Sequence, residues 1–177
     1  MDYRIYDTKN SIGDIRFEKI YTILSSSLPQ CEMRSKEKQR QLLSDDRYHI
    51  ITAEDNGEIV GFIALWKLTG VYFIEHFAVD STKRNCGIGA GLLEYCINVF
   101  ATVVLEVEPE NSSPEARRRI GFYKRNGFAY NDYEYYQPPM QDGFDLLPLK
   151  IMSYPDILDV NDFEKVRSIL YREIYNF

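Results

Sequence analysis

Residues 79–91 constrain this chain more than any other stretch. A strand-like apolar run breaks into Asp80-Ser81-Thr82-Lys83-Arg84-Asn85, then Cys86-Gly87-Ile88-Gly89-Ala90-Gly91, and a helical pattern follows. Glycines at 87 and 89 remove Cβ atoms that would hold a ligand off the backbone, and the helix behind them aims its unpaired N–H groups at whatever sits there. The pattern predicts an anion socket. Lys83 and Arg84 at its mouth point to a phosphate-bearing ligand, because cationic side chains and a helix N-terminus stabilise the same charge.

Spacing narrows the choice of phosphate. No G-x-x-x-x-G-K-[ST] run occurs, so a nucleoside-triphosphate loop is excluded. The dinucleotide fingerprint G-x-G-x-x-G needs glycine at position 92, which is Leu92, and expects its glycines directly after the strand, where six polar residues stand here. Glu106, about 20 residues on, still offers that reading a ribose-binding acid. The remaining pattern, Arg84-x-x-Gly87-x-Gly89, resembles the pyrophosphate loop [QR]-x-x-G-x-[GA] of the GCN5-related N-acetyltransferase (GNAT) family, with a match at every defined position.

Two further segments carry the resemblance. Residues 72–79, Tyr-Phe-Ile-Glu-His-Phe-Ala-Val, resemble the family's bulged fourth strand, and Gly121-Phe122-Tyr123-Lys124-Arg125-Asn126-Gly127-Phe128 resembles its F-Y-x-x-x-G-F signature. A bulge frees backbone groups, which an extended amide-bearing ligand needs. The resemblance implies acetyl-CoA as acyl donor, with its pantetheine arm on the backbone of Phe77 and Val79. It places the pyrophosphate on Arg84 and the loop amides of Cys86, Gly87, Ile88, Gly89 and Ala90. Asn111 is a further cofactor contact by resemblance, although it precedes Tyr123 by twelve residues, a longer spacing than the family's usual one. Arg117, Arg118 and Arg119 in that interval, with Lys124 and Arg125, form a solvated helix face or supply cation to the CoA phosphates.

Acyl transfer to an amine needs a base and a protonated leaving group. By resemblance Tyr123 donates a proton to the departing thiolate; as one of fourteen tyrosines it would otherwise be a packing residue. A phenol pKa of about 10 against about 8.5 for a thiol makes that transfer nearly balanced. The base is Glu106, where members that acetylate protein N-termini place a glutamate, or Glu75 on the opposing strand. His76 is the third candidate, and strand alternation lets only one of Glu75 and His76 face the site. The resemblance places the acceptor cleft between the loop of residues 29–35, with Glu32 and Arg34, and the last two strands, with Tyr133, Tyr135 and Tyr136. Acidic and aromatic residues suit a cationic amine, small or peptidic, although an exposed tyrosine cluster equally suits a homodimer surface. A catalytically silent acyl-CoA-binding module is the alternative to an enzyme.

The remaining composition is restrictive mainly by exclusion. A net charge of −6 argues against nucleic acid as the main partner. No run approaches a membrane span and the first residues lack a signal-like apolar segment, so a cytoplasmic protein with no membrane partner is expected. Cys31, Cys86 and Cys96 form no C-x-x-C pair, and two histidines cannot complete a zinc set, so reduced thiols and no metal are expected.

Length and pattern predict a single acetyltransferase domain over residues 1–177, with a family-like part over 1–154 and a helical extension over 155–177. The fold class is α/β with a mixed, mostly antiparallel twisted sheet. Strands are expected at 3–6, 49–54, 58–68, 72–79, 103–108, 128–136 and 146–154. Asp55-Asn56-Gly57 signals a hairpin. Helices are expected with Ile12, Ile15, Phe17, Ile20 and Leu24 on one stripe, over 35–43, behind the glycine loop, from Ser113 and Pro114 to Asn126-Gly127, and at the C-terminus. The last is expected to be capped near Asn161 and Glu164, with Phe163, Val166, Leu170 and Ile174 inward.

Overall fold

The computed structural model describes residues 1–7, 12–140 and 143–177, with the backbone alone at Cys31. Its frame is a seven-stranded sheet in the order β1-β2-β3-β4-β5-β7-β6. The strands are β1 (Asp2–Tyr6), β2 (Tyr48–Asp55), β3 (Glu58–Leu68), β4 (Val71–Val79), β5 (Val103–Val107), β6 (Ala129–Gln137) and β7 (Leu147–Tyr154). Among them only β4 and β5 run parallel. Among the described residues five α-helices flank the sheet: α1 (Asp14–Ser25), α2 (Lys36–Gln41), α3 (Ile88–Val99), α4 (Pro114–Arg125) and α5 (Val160–Leu170). This is the mixed α/β class that the pattern predicts.

Each face of the sheet is covered by its own helices. Phe17, Ile20 and Leu24 of α1 and Phe163 and Leu170 of α5 pack on one side; Leu92, Leu93 and Cys96 of α3 and Ile120 and Tyr123 of α4 pack on the other. Local chemistry sets the junctions. Asn56 and Gly57 adopt positive φ (51° and 84°), the primed turn whose twist suits a two-residue hairpin loop. The Ser113 side chain caps α4 by accepting from Ala116 N at 3.0 Å, with Pro114 in the first turn.

Three helix expectations are corrected. Ile15 is 87% exposed, because α1 starts at Asp14 and its buried stripe is Phe17, Ile20, Ile23 and Leu24. The second helix ends at Gln41 and tightens into a 3-10 turn over Leu42–Ser44. The C-terminal helix is capped by Asp159, whose carboxylate accepts from Asp162 N at 2.8 Å and so satisfies one of the orphan amides of the first turn.

The strand β4 is where the fold opens. It pairs with β5 only at Tyr72, Phe73 and Ile74, and β5 then continues against β7 as far as Val107. Past Ile74, therefore, the β5-facing edge of β4 has no strand partner. On its other edge the register against β3 slips, so that Ala64 faces His76 and Leu65 faces Ile74, which leaves Glu75 as the bulged residue. The bulge also breaks side-chain alternation. Glu75 and His76 reach the same neighbourhood, Nδ1 of His76 lying 3.5 Å from Oε2 of Glu75, so the expectation that only one of them can face the site is wrong.

Candidate active site

A cavity of about 650 Å³ runs through the split between β4 and β5. Phe77, Val79, Ile88, Phe122 and Tyr123 line it from the α3 and α4 face; Leu28, Glu32, Glu106, Gln137 and Leu149 close it from the α1 face.

The loop before α3 is shaped for an anion. Gly87 takes φ 78°, a left-handed value that L side chains rarely adopt, and has open space where a Cβ would stand. Gly91 N bonds to Gly87 O at 3.0 Å as the helix begins, so the amides of Ile88, Gly89 and Ala90 have no intrahelical partner. Lys83, Arg84, Asn85, Gly87, Ile88, Gly89 and Ala90 all line the cavity. Arg84 folds back along the strand end, with Nε 3.3 Å from Val79 O and Nη2 3.3 Å from Ser27 Oγ. Lys83 is held by Asp55 at 3.1 Å. Cys86 is exposed with its thiol toward Arg84 O at 3.5 Å, and Asn111 lies exposed in the β5–α4 connection; neither lines the cavity. The thiol expected at Cys31 lies outside the described residues. Glycine at 91 answers a different need, since a Cβ there would come within 2.0 Å of the Tyr3 hydroxyl.

The two carboxylate candidates have opposite environments. Glu75 has a side chain with no exposed surface and pairs with Arg34 at 2.5 Å. Burial opposes its charge, but Arg34 and His76 outweigh that and hold the carboxyl below its ordinary value. His76 is also buried, its Nε2 lying 3.2 Å from Glu32 O, and burial lowers its pKa against the pull of Glu75, which favours the neutral imidazole. Glu106 has no cationic partner among the described residues. Burial pushes its carboxyl up to about 7, with Glu75 adding to the rise, against hydrogen bonds from Tyr135, Tyr175 and Gln137. Those donors form a cage: the Tyr135 hydroxyl on Oε1, Gln137 Nε2 at 2.9 Å from Oε2, and the Tyr175 hydroxyl at 2.8 Å from Oε2 and 3.0 Å from Oε1.

Tyr123 is 6% exposed, beside Phe77 (ring centroids 6.3 Å) and Phe122 (5.4 Å). Burial pushes its hydroxyl up to about 12, partly offset by Arg119. The balanced transfer expected from free phenol and thiol values is thereby corrected: the gap between about 12 and a thiol pKa of about 8.5 makes proton transfer from the phenol uphill. Such a phenol stays protonated and donates a hydrogen bond.

Of the acceptor-side expectations, Glu32 lines the cavity, and burial raises its carboxyl while Arg119 opposes and Glu108 adds to the rise. Arg34 is turned to Glu75 and Tyr135 to Glu106, neither lining the cavity. The tyrosines do not form one exposed cluster. Tyr133 packs against Phe163 of α5 with ring centroids 4.6 Å apart and the rings tilted, Tyr135 is 2% exposed, and Tyr136 alone of the three is open at 40%. Arg118 and Arg119 reach the cavity, paired with Glu115 at 2.6 Å and Glu108 at 3.4 Å. Gln137 and Tyr175 were missed by sequence reasoning; nothing in the sequence ties either to a glutamate 31 or 69 residues away.

No group of histidine, cysteine, aspartate and glutamate suited to a metal occurs among the described residues, and no helix among them is long and apolar enough to cross a membrane. Nothing among curated proteins matches the sequence. The profile of the Acetyltransferase (GNAT) family matches residues 17–128. A Bacteroides thetaiotaomicron structure described as a GNAT-family acetyltransferase is 31% identical, with 100% of this chain and 99% of that chain aligned at a TM-score of 0.88. The same fold, at 20% identity and a TM-score of 0.61, occurs in the ribosomal-protein-S18-alanine N-acetyltransferase of Escherichia coli, covering 89% of this chain and 96% of that one. An aminoglycoside 6′-N-acetyltransferase complexed with coenzyme A is 17% identical with a TM-score of 0.63, covering 86% and 96%. A glycine loop at a helix N-terminus, a β4 edge opened by the departure of β5, and a profile match over more than half the residues make this chain a member of the GNAT acetyltransferase family.

Proposed function

We propose that this protein is an acetyl-CoA-dependent N-acetyltransferase acting on a primary amine by direct attack in a ternary complex. The observation that carries the reading is a single cavity that joins the α3 amides and the unpaired edge of β4 to Tyr123 and Glu106. The site fits the donor: open space at Gly87 admits a phosphate to the backbone, and three helix amides await an acceptor. The CoA held by the aminoglycoside acetyltransferase of the same fold supports that ligand.

Acetyl-CoA, when bound, supplies a thioester carbonyl activated toward a neutral amine. The chain's own groups then have separate tasks. Backbone groups of Phe77 and the N–H of Val79 on the opened edge hold the pantetheine arm in register, and this positioning provides much of the rate. A backbone N–H of the opened β4 edge polarises the carbonyl. Glu106, ionising near neutrality, removes the ammonium proton of the acceptor, directly or through water. Tyr123 donates a hydrogen bond to the leaving sulfur. Glu75, sealed by Arg34, organises β4. Glu32, Gln137 and Leu149 form the acceptor end, which suits a small or peptidic amine.

A panel of amines offered with acetyl-CoA, with release of free thiol as readout, tests this. Turnover with at least one primary amine is expected. Tight CoA binding without transfer to any amine would convert the reading to a silent acyl-CoA-binding module, and NADH outcompeting CoA would revive a dinucleotide site.

A further inference from the structure

The segment after β7 is usually the least constrained part of a chain, since termini fray unless tied down. Here it is tied at several points. Asn131, fully buried in β6, accepts from Leu158 N at 2.8 Å, and the Tyr133 hydroxyl donates to Leu158 O at 3.2 Å. The Tyr171 hydroxyl donates to Tyr136 O at 2.6 Å, and Thr69 Oγ1 to Glu173 at 2.9 Å. Leu170 and Ile174 are buried between these ties. Beyond α5 the backbone widens into a π-type turn over Tyr171–Tyr175, a distortion often found at functional positions. The turn delivers the Tyr175 hydroxyl to both oxygens of Glu106, and Gln137 Nε2 donates to that same hydroxyl at 2.9 Å. Gln137 thereby commits the Tyr175 proton to the carboxylate, because the phenol oxygen is already accepting.

We propose that Tyr175 is a positioning residue for Glu106, so that the C-terminal extension completes the active site. This rests on the reading of Glu106 as base. The hydroxyl fixes the rotamer of the carboxylate and favours its ionised form, opposing the burial that would keep it protonated at neutral pH. The groups facing Glu106 are Glu75 with its partner Arg34, Tyr135 from β6, and Tyr171 and Tyr175 from the turn. Glu75 is held in its charged form and does not titrate in the same range.

The test is Tyr175→Phe in the full chain, which keeps the ring and removes the donor. Two quantities are read: the midpoint of the acid limb of kcat/KM, and the carboxyl titration of Glu106 followed by carbon-13 NMR. Both should move up by about one to two pH units, the worth of a hydrogen bond to a charged group, with activity largely recovered at high pH. Asp159→Ala, which removes the side-chain cap of α5 and leaves the Tyr171–Tyr175 turn and the donors to Glu106 untouched, should lower thermal stability and leave both midpoints in place. Tyr175→Phe with both midpoints at wild-type values would overturn the proposal. Glu106→Gln separates the two readings: an acid limb that survives it removes Glu106 as base, and the carboxyl titration in Tyr175→Phe then decides the positioning claim by itself.

Discussion

The Arg34 guanidinium and the Glu75 carboxylate meet at 2.5 Å across 41 residues of sequence, with no exposed surface on the Glu75 side chain and 11% on that of Arg34. A pair this deep is strongly coupled to folding, because either partner alone would be an uncompensated buried charge. Arg34→Ala should therefore cost about 3–5 kcal/mol in urea denaturation at pH 7. The double variant Arg34→Met/Glu75→Gln should recover much of that loss. Burial would carry the Glu75 carboxyl above its ordinary range in Arg34→Ala, so the cost should shrink as pH falls through that raised value. A cost under about 1 kcal/mol, as for a surface pair, would show that Glu75 is free to act otherwise.

The glycine loop gives a binding prediction that separates affinity from folding. At φ 78° Gly87 sits where aspartate is better tolerated than most residues, and a carboxylate near the N-terminus of α3 suits the helix dipole. Gly87→Asp should stay folded, destabilised by about 1 kcal/mol for the left-handed backbone, while its calorimetric affinity for CoA falls on the order of 100-fold, the loss of charge-assisted hydrogen bonds plus repulsion. Unchanged affinity in the folded variant would remove the loop from the cofactor site.

Removing the Tyr123 hydroxyl leaves its ring among Phe77, Phe122 and Phe128. Tyr123→Phe should keep CoA affinity and lose about 10²- to 10³-fold in turnover, provided thiolate departure limits the rate. Wild-type single-turnover rates would return Tyr123 to a packing role.

For Glu106 the sign of the pH effect on stability is opposite to that of a salt-bridged acid. Its folded pKa of about 7 lies above the unfolded value, so between about 4.5 and 7 the folded state binds more protons than the unfolded one. The stability of wild type relative to Glu106→Gln should accordingly fall as pH rises through that window, by up to about 3 kcal/mol, and level off above it. In activity, the acid limb of kcat/KM near pH 7 should vanish in Glu106→Gln, and the deficit should shrink at high pH as free amine becomes available. Parallel stability curves for the two proteins would mean an ordinary, solvated carboxyl.

Much of this architecture was legible from residues alone because its signals are local. Asn56-Gly57 dictates a primed turn through backbone sterics, Ser113-Pro114 starts a helix through one side-chain acceptor and one missing N–H, and Gly87 marks a left-handed position that other residues avoid. The socket at the start of α3 follows from the same kind of information, since a helix N-terminus exposes amides whatever surrounds it. Where the local signal was ambiguous the boundaries moved, as at Asp159 and Ile15, because two nearby residues could cap or face inward and packing chose between them.

Only the tertiary structure decided what the carboxylates are. Glu75 and Glu106 are the same residue type on adjacent strands, and their difference comes from partners that are distant in sequence: Arg34 for one, Tyr135, Gln137 and Tyr175 for the other. The bulge in β4 was expected by resemblance, but nothing local marked Glu75 as its place; there it shifts the strand by one residue and turns Glu75 and His76 to one neighbourhood, which strand alternation forbids. The chain's local chemistry thus determined its elements and the unpaired amides at the start of α3, while charge state, being set by burial and by groups brought together only on folding, was decided by the packed molecule.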